Sequence, residues 1–409
     1  ILSPIFMLTD TSSLMSFLGL CLFIIFVSGA FQIMKDSNGM SVLLKKIVNK
    51  FEKRKTILMM LITLFFMLFG SIYGIFEESL ILVPLIVGLS LALGWDTLTG
   101  LGMSVLAVGL GFGAAMTNPF SIGIASEELQ ISALSGIGYR IIIFVITYAI
   151  LVLFLKLHIS KIEKNPMKSI SYTVDQTKDD YDISTIKETK FENEKKIGII
   201  YGLFFIGILV VILTVYSIPQ ISGYSIVILA AYFLIVGSIC GFILFDKKKD
   251  LFKALGVGYK SALPSVVMIM LALTIKFIIY DAHIAPTITN YCVIALESMG
   301  PYKSVLALLG IVFVLEFFVS SSTAKAVLVM GVLAPVIARS TLSANTMVLA
   351  YIMGDGFTNV IFPTSPVLLL ALSMVGLKYR DWLKWTKWLF IILFALNIVY
   401  LMIAVAINY

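Results

Sequence analysis

Long apolar runs alternate with polar interruptions of two kinds along this chain. Some interruptions are basic and lie between the runs. Others are small, hydroxyl-bearing or acidic, and lie inside them. Residues 13–34, 135–157, 197–217, 223–245, 262–280 and 385–408 read as unbroken apolar spans, close to the roughly 20 residues that a membrane-crossing helix needs. Residues 57–95 carry Gly70, Gly74, Glu77, Glu78, Pro84 and Gly88 at their centre. That pattern predicts two half-length arms of a re-entrant hairpin, since irregular backbone at membrane depth survives only when protein or a cavity surrounds it. Residues 302–339 repeat it around Ser320-Ser321-Ser322-Thr323. Two more segments start as helices and break: 97–130 at Thr117-Asn118-Pro119, and 343–375 at Thr358-Asn359 and Pro363-Thr364-Ser365-Pro366. Proline lacks the N–H that would continue a helix and crowds the preceding turn.

The order of elements repeats. Matching elements start at 13 and 262, 57 and 302, 97 and 343, 135 and 385, offsets of 245 to 250 residues. The predicted fold is all-α and polytopic, an inverted repeat with two re-entrant hairpins and two broken helices. Its parts are a first repeat at 1–157, a linker at 158–196, connecting spans and an interfacial amphipathic helix at 197–260, and a second repeat at 261–409. Paired broken segments are the usual place of a transporter's binding site.

Composition narrows the class. The 409 residues are 60% hydrophobic and 13% charged, with a mean hydropathy of +1.04. A soluble domain carries about 25% charged residues, so a soluble or disordered chain is excluded. The net charge of +7 is topology rather than nucleic-acid binding, because 25 of the 30 Lys and Arg fall in four clusters, at 35–55, 156–196, 247–260 and 378–387. The positive-inside rule places those clusters, the 158–196 linker and both ends of the 57–95 hairpin in the cytoplasm, with the chain in the inner (plasma) membrane. The first span then runs inward and its counterpart at 262–280 outward, which makes the repeat inverted. Cys21, Cys240 and Cys292 lie in apolar runs and form no disulfide framework. With only His158 and His283 there is no basis for a histidine metal or catalytic cluster, and no cofactor or metal is expected apart from a coupling ion. No HExxH or GxSG motif occurs, and Ile352 stands where an intramembrane aspartyl protease needs its first glycine, so no catalytic residue is assigned.

Ionisable groups at membrane depth cost ~2.5–3.5 kcal/mol each at a helix centre and mark function by default. Six qualify: Glu77, Glu78, Lys276, Glu316, Lys325 and Asp355. Lys276, Glu316 and Lys325 are candidate charge partners, with Glu316 and Lys325 paired across one hairpin. The adjacent carboxylates Glu77 and Glu78 repel, which favours a bound cation or proton. The substrate is expected between the hairpin tips and the breaks, held by Glu77, Glu78, Thr117, Asn118, Ser320, Ser321, Ser322, Thr323, Asp355, Thr358, Asn359, Thr364 and Ser365. Freed carbonyls at such breaks favour Na⁺, so a coupling Na⁺ is expected near Asn118 and Asn359, with H⁺ the other candidate coupling ion. Four acids against two bases favour a cationic substrate, or a neutral one with coupling cations. A dicarboxylate would need its charge cancelled by Na⁺ or H⁺ and is the alternative. A channel is the other class left open.

GIFEES and TNPFSIGIA within 70–125, and SSSTAKAVLVMGVLAP, GDGFTNVIFPTSPVLL and KYRDWLKW within 316–387, resemble the YfcC-like branch of the C4-dicarboxylate anaerobic carrier family, in the ion-transporter superfamily. The resemblance covers most of the chain outside 158–196. It implies a secondary active transporter with an elevator-type movement, arginine/ornithine antiport by alternating access, a basic residue at Lys276 and a homodimer. Members carry a further N-terminal span, so its removal here is expected. The tip reads SSSTAK where the family favours glycines, which bears on the mobility of that tip.

Overall fold

The computed structural model describes residues 9, 11–177, 191–218, 224–282, 299–319, 322, 325–326, 329–330 and 342–409. Among them every regular element is helical. Among the described residues, seven helices are long and apolar enough to cross a membrane: Phe17–Asp36, Lys55–Tyr73, Ile137–Lys164, Glu194–Ile212, Ile226–Leu244, Pro301–Phe318 and Tyr379–Ala406. Their outer faces stay apolar. Ile141, Ile142, Val145 and Leu153 are exposed on one helix, Leu203, Ile206 and Val210 on another, and Trp388, Ile391, Ile392 and Val399 on the last. A water-soluble surface does not carry contiguous apolar faces of that extent, and these face lipid. The protein is a multi-pass membrane protein.

α1 (Thr11–Asp36) leads into the amphipathic α2 (Gly39–Phe51), and then α3 (Lys55–Leu68), extended by a π turn at Phe69–Tyr73. The chain stops at Gly74-Ile75-Phe76, passes through a 3₁₀ turn at Glu77–Leu82, and returns as α4 (Val83–Ala92). The hairpin closes at its feet, where Lys55 Nζ donates to Leu93 O at 2.6 Å. α5 (Thr97–Gly113) follows, then an unwound stretch, a π turn at Pro119–Gly123, α6 (Ile124–Glu128) and the long α7 (Ile137–Lys164). After the short α8 (Tyr172–Asp175) come α9 (Glu194–Ser217), α10 (Ser225–Leu244) and α11 (Lys248–Asp281). The second half holds α12 (Pro301–Phe318), α13 (Ala344–Thr358), α14 (Pro366–Val375) and α15 (Tyr379–Ala406).

α11 is continuous where the sequence suggests an interfacial piece followed by a separate span. Its first turns already bury Leu251 and Ala254 against Ile33 of α1, so the same packing face runs on without a stop. Gly258 meets Gly29 backbone to backbone, and a Cβ on Gly258 would stand 2.6 Å from the Gly29 Cα. Small residues permit that approach between membrane helices.

The glycines of α5 sort by face. A Cβ on Gly111 would meet Met67 O of α3 at 2.1 Å, and one on Gly109 would meet Val360 Cγ1 at 2.2 Å. A Cβ on Gly356 of α13 would meet Gly113 N at 2.3 Å. α5 is thus wedged between the first hairpin and α13, with backbone contact on both sides.

The first part of the expected linker is folded onto the body. Asp96 caps α5 by accepting from Thr99 N at 2.8 Å and Thr99 Oγ1 at 2.6 Å. Its other oxygen lies 2.8 Å from His158 Nε2 and accepts from Ser169 Oγ at 2.6 Å. Trp385 Nε1 donates to His158 Nδ1 at 3.1 Å, and since an indole only donates, the imidazole proton sits on Nε2 and points at Asp96. Burial works against the Asp96 charge, but the hydrogen bonds from His158, Ser169 and Thr99 outweigh it and hold the carboxyl below its ordinary value. Ser171 Oγ and Thr97 N both donate to Asp175, at 2.7 Å and 3.2 Å, and pin α8 to the start of α5. Residues 178–190 lie outside the described set.

Candidate functional site

Both predicted helix breaks are present, and they are built alike. Asn118 and Ser365 each precede a proline and cap the helix that restarts there. Asn118 Oδ1 accepts from Phe120 N at 2.9 Å and Ser121 N at 3.3 Å, and Ser365 Oγ accepts from Leu368 N at 3.5 Å. The two caps are 247 residues apart, the spacing of TNP and TSP in the sequence.

The first break is tied to the first hairpin through Ser71. Its carbonyl accepts from Met116 N, Thr117 N and Asn118 N at 3.0, 3.2 and 3.1 Å, and its hydroxyl donates to Ala114 O at 3.0 Å. Thr117 Oγ1 donates to Ile72 O at 3.2 Å. Gly74 sits at the hairpin turn with φ +68°, and a Cβ there would meet Asn118 Oδ1 at 2.3 Å. Only glycine combines that backbone with that closeness. The hairpin turn at Gly74 thus lies directly against Asn118 and Phe120. Glu77 is half-buried and Glu78 fully buried, and the turn that holds them packs on α14, just past the second break.

Asn118 is fully buried with its oxygen committed to the cap, and its amide nitrogen is buried as well. Asn118 Nδ2, Ser121 Oγ, Ser126 Oγ and Thr364 Oγ1 are buried without a hydrogen-bond partner among the described residues. Such donors are costly to leave unmade and fit an acceptor group such as a carboxylate. The arrangement suits Na⁺ less well at Asn118, because the amide oxygen is already used twice. No group of three His, Cys, Asp or Glu with metal-binding arrangement occurs among the described residues.

At the second break, Thr358 Oγ1 donates to Gly354 O at 2.6 Å, and Asn359 Nδ2 donates to Asp355 O at 3.0 Å, so Asn359 spends one donor on its own helix. The carbonyls freed by the break are taken by α15. Trp382 Nε1 donates to Val360 O at 2.9 Å and Tyr379 OH to Ile361 O at 2.6 Å. Ser71, Tyr379 and Trp382 were not among the expected residues. The signal for the two aromatics is their place in KYRDWLKW, directly after the break.

Asp355 does not point to Asn359, although it lies one turn before it. Its Oδ2 accepts from Ser322 Oγ at 2.5 Å, and its Oδ1 lies 2.8 Å from Lys325 Nζ. Lys325 also pairs with Glu316 and donates to Val319 O at 3.1 Å. Tyr351 OH donates to Ser322 O at 2.5 Å. Glu316, Lys325 and Asp355 are 2%, 0% and 0% exposed, so the expected Glu316–Lys325 pair is a triad. Ser320, Ser321 and Thr323 and the side chain of Lys276 lie outside the described residues.

The family described as DcuC, C4-dicarboxylate anaerobic carrier, matches residues 3–406. A protein of Escherichia coli (strain K12) named "Putative basic amino acid antiporter YfcC" is 26% identical over 400 residues, covering 92% of this chain and 75% of that protein. An uncharacterized protein of Haemophilus influenzae is 27% identical over 369 residues, 88% of this chain and 70% of that one. The crystal structure of the Alcanivorax borkumensis YdaH transporter is similar at 15% identity and a TM-score of 0.48, over 98% of this chain and 90% of that one.

Proposed function

This chain belongs to the C4-dicarboxylate anaerobic carrier family, and from that premise we propose that it is a secondary active transporter of the inner membrane that exchanges cationic amino acids, arginine and ornithine, by alternating access. It is a carrier and performs no covalent chemistry. The observation that carries the reading is the pairing of opposite chemistries around two helix breaks. Buried donors at Asn118, Ser121 and Thr364 fit an α-carboxylate. Carboxylates in excess over ammonium groups, at Glu77, Glu78, Glu316 and Asp355, fit a cationic end. The name of the Escherichia coli relative points the same way.

In this reading the hairpin Lys55–Ala92 and its counterpart after Pro301 are re-entrant, the two halves are inverted repeats, and the breaks, caps and tips move together as an elevator in each protomer of a homodimer. The 158–196 segment faces the cytoplasm, with the basic clusters. A C4-dicarboxylate, coupled to Na⁺ or H⁺, is the other substrate, and the family's description favours it.

The test is counterflow in proteoliposomes loaded with unlabelled ornithine. Uptake of labelled arginine that saturates and stops without internal ornithine supports the proposal. Uptake of labelled succinate instead of arginine overturns it in favour of the dicarboxylate reading.

A further inference from the structure

The triad at the second hairpin carries one acid too many. An ammonium has three donors, and Lys325 Nζ faces three acceptors: Glu316, Asp355 Oδ1 and Val319 O. That complement needs the charged amine. Asp355 has both oxygens filled, by Lys325 and by the Ser322 hydroxyl, which is the arrangement of an ionised carboxylate. Glu316 is different. Its Oε2 meets Lys325, and no hydroxyl of a described residue donates to that oxygen as Ser322 does to Asp355. Two carboxylates and one ammonium leave one net negative charge in a site at most 2% exposed. An uncompensated charge in that setting is neutralised by whatever cation can reach it, and the smallest is a proton.

The groups around Glu316 leave it that role. From α13 come Asp355 and Tyr351, the latter turned to Ser322 O. α15 brings Phe394 against Phe313, one turn before Glu316, and its own titratable groups lie toward its ends, from Tyr379 to Lys387 and at Tyr400. α11 contributes Lys276 and Asp281, whose side chains lie outside the described set.

We propose that Glu316 is the site of a coupling proton, held beside the Lys325–Asp355 ion pair. The ionised Glu316 carboxylate takes one proton from one side of the membrane and becomes a neutral acid. It returns that proton to the other side when a cationic substrate end supplies the missing positive charge. The substrate cation and the proton thus compete for one negative charge, so under a pH gradient a proton can stand in for ornithine as the exchanged partner of arginine. The coupling rests on the amino-acid reading above, whereas the proton site does not.

Infrared difference spectra separate the two. Wild-type protein in lipid is compared at acid and alkaline pH, with no substrate present. The expected result is a protonated-carboxyl carbonyl band on acidification, with one component lost in Glu316→Gln and retained in Glu77→Gln. In Lys325→Met that component persists to higher pH, because two carboxylates then share no ammonium. An unchanged band in Glu316→Gln overturns the proposal. In counterflow, an acid-inside gradient accelerates arginine uptake by the wild type, and the Glu316→Gln protein loses that response. Wild-type exchange that ignores the gradient overturns the coupling. A wild type that shows the band but moves no arginine refutes the substrate reading and leaves the proton site standing.

Discussion

Lys325 Nζ lies 2.8 Å from Asp355 Oδ1 and pairs at the same time with Glu316, so a single buried base serves two buried acids. Removing that base strands both. Lys325→Met is expected to cost ~3–5 kcal/mol of stability, the usual penalty for an uncompensated buried charge. Lys325→Met combined with Glu316→Gln restores one acid to neutrality and is expected to recover part of the loss. Denaturant unfolding in detergent measures both; equal damage from the single and double variants would refute a shared charge network.

Asn118 has two duties that substitution can separate. Asn118→Ser keeps a capping oxygen for the restarted helix and removes the unpartnered amide nitrogen. The expected protein unfolds within about 1 kcal/mol of wild type and no longer gains thermal stability on adding arginine. Asn118→Ala loses the cap as well, at a further cost of ~1 kcal/mol. A thermal shift with arginine that is intact in Asn118→Ser would remove this residue from the site.

Gly74 and Gly94 both have left-handed backbone, at φ +68° and +82°, but only Gly74 is crowded. An alanine at either position carries the left-handed penalty of roughly 1–2 kcal/mol. At Gly74 it also collides with the Asn118 cap. Gly94→Ala is therefore expected to transport and Gly74→Ala to fail, in the same counterflow assay. Equal activities would mean that the hairpin turn need not touch the break.

Trp382 is fully buried with its indole on Val360 O. Trp382→Phe keeps most of the ring and leaves that carbonyl unpaired, a cost of ~1–3 kcal/mol. The drop in unfolding free energy is the readout. No change would show that the carbonyl finds another donor.

Asp96 gives the protein an acid-sensitive joint. Its folded carboxyl titrates below the unfolded value of about 3.9, so its stabilising contribution is complete above that value and disappears as pH falls through the folded one. The unfolding midpoint of the wild type should decline below about pH 4 more steeply than that of Asp96→Asn, which is less stable at neutral pH. Parallel curves would show that the His158 and Ser169 contacts contribute nothing to the charged form.

Much of this was legible from residue order. The breaks follow from proline behind a capping Asn or Ser, and the first hairpin from small and acidic residues in mid-run. Sequence reading also pointed to Glu316 and Lys325 as charge partners, and the two side chains meet. Spacing along its own helix could not show that Asp355 is engaged by Ser322 and Lys325, which come from another part of the chain. It missed Trp382 and Tyr379, which meet the second break from the next helix. Ser71 was hidden because a serine that bonds backbone reads like any other small residue in an apolar run.

Gly113 and Gly356 leave no side chain between the two broken helices. With nothing there to act as a bearing, neither helix has room to roll or slide against the other. The distance between the two breaks is then set by backbone thickness and stays constant through any motion of either one. Cargo seated across them would travel in a cradle of fixed width. Selectivity would be decided once, by the size of that cradle, and access to either face would have to come from the whole cradle moving as one body against the remaining helices.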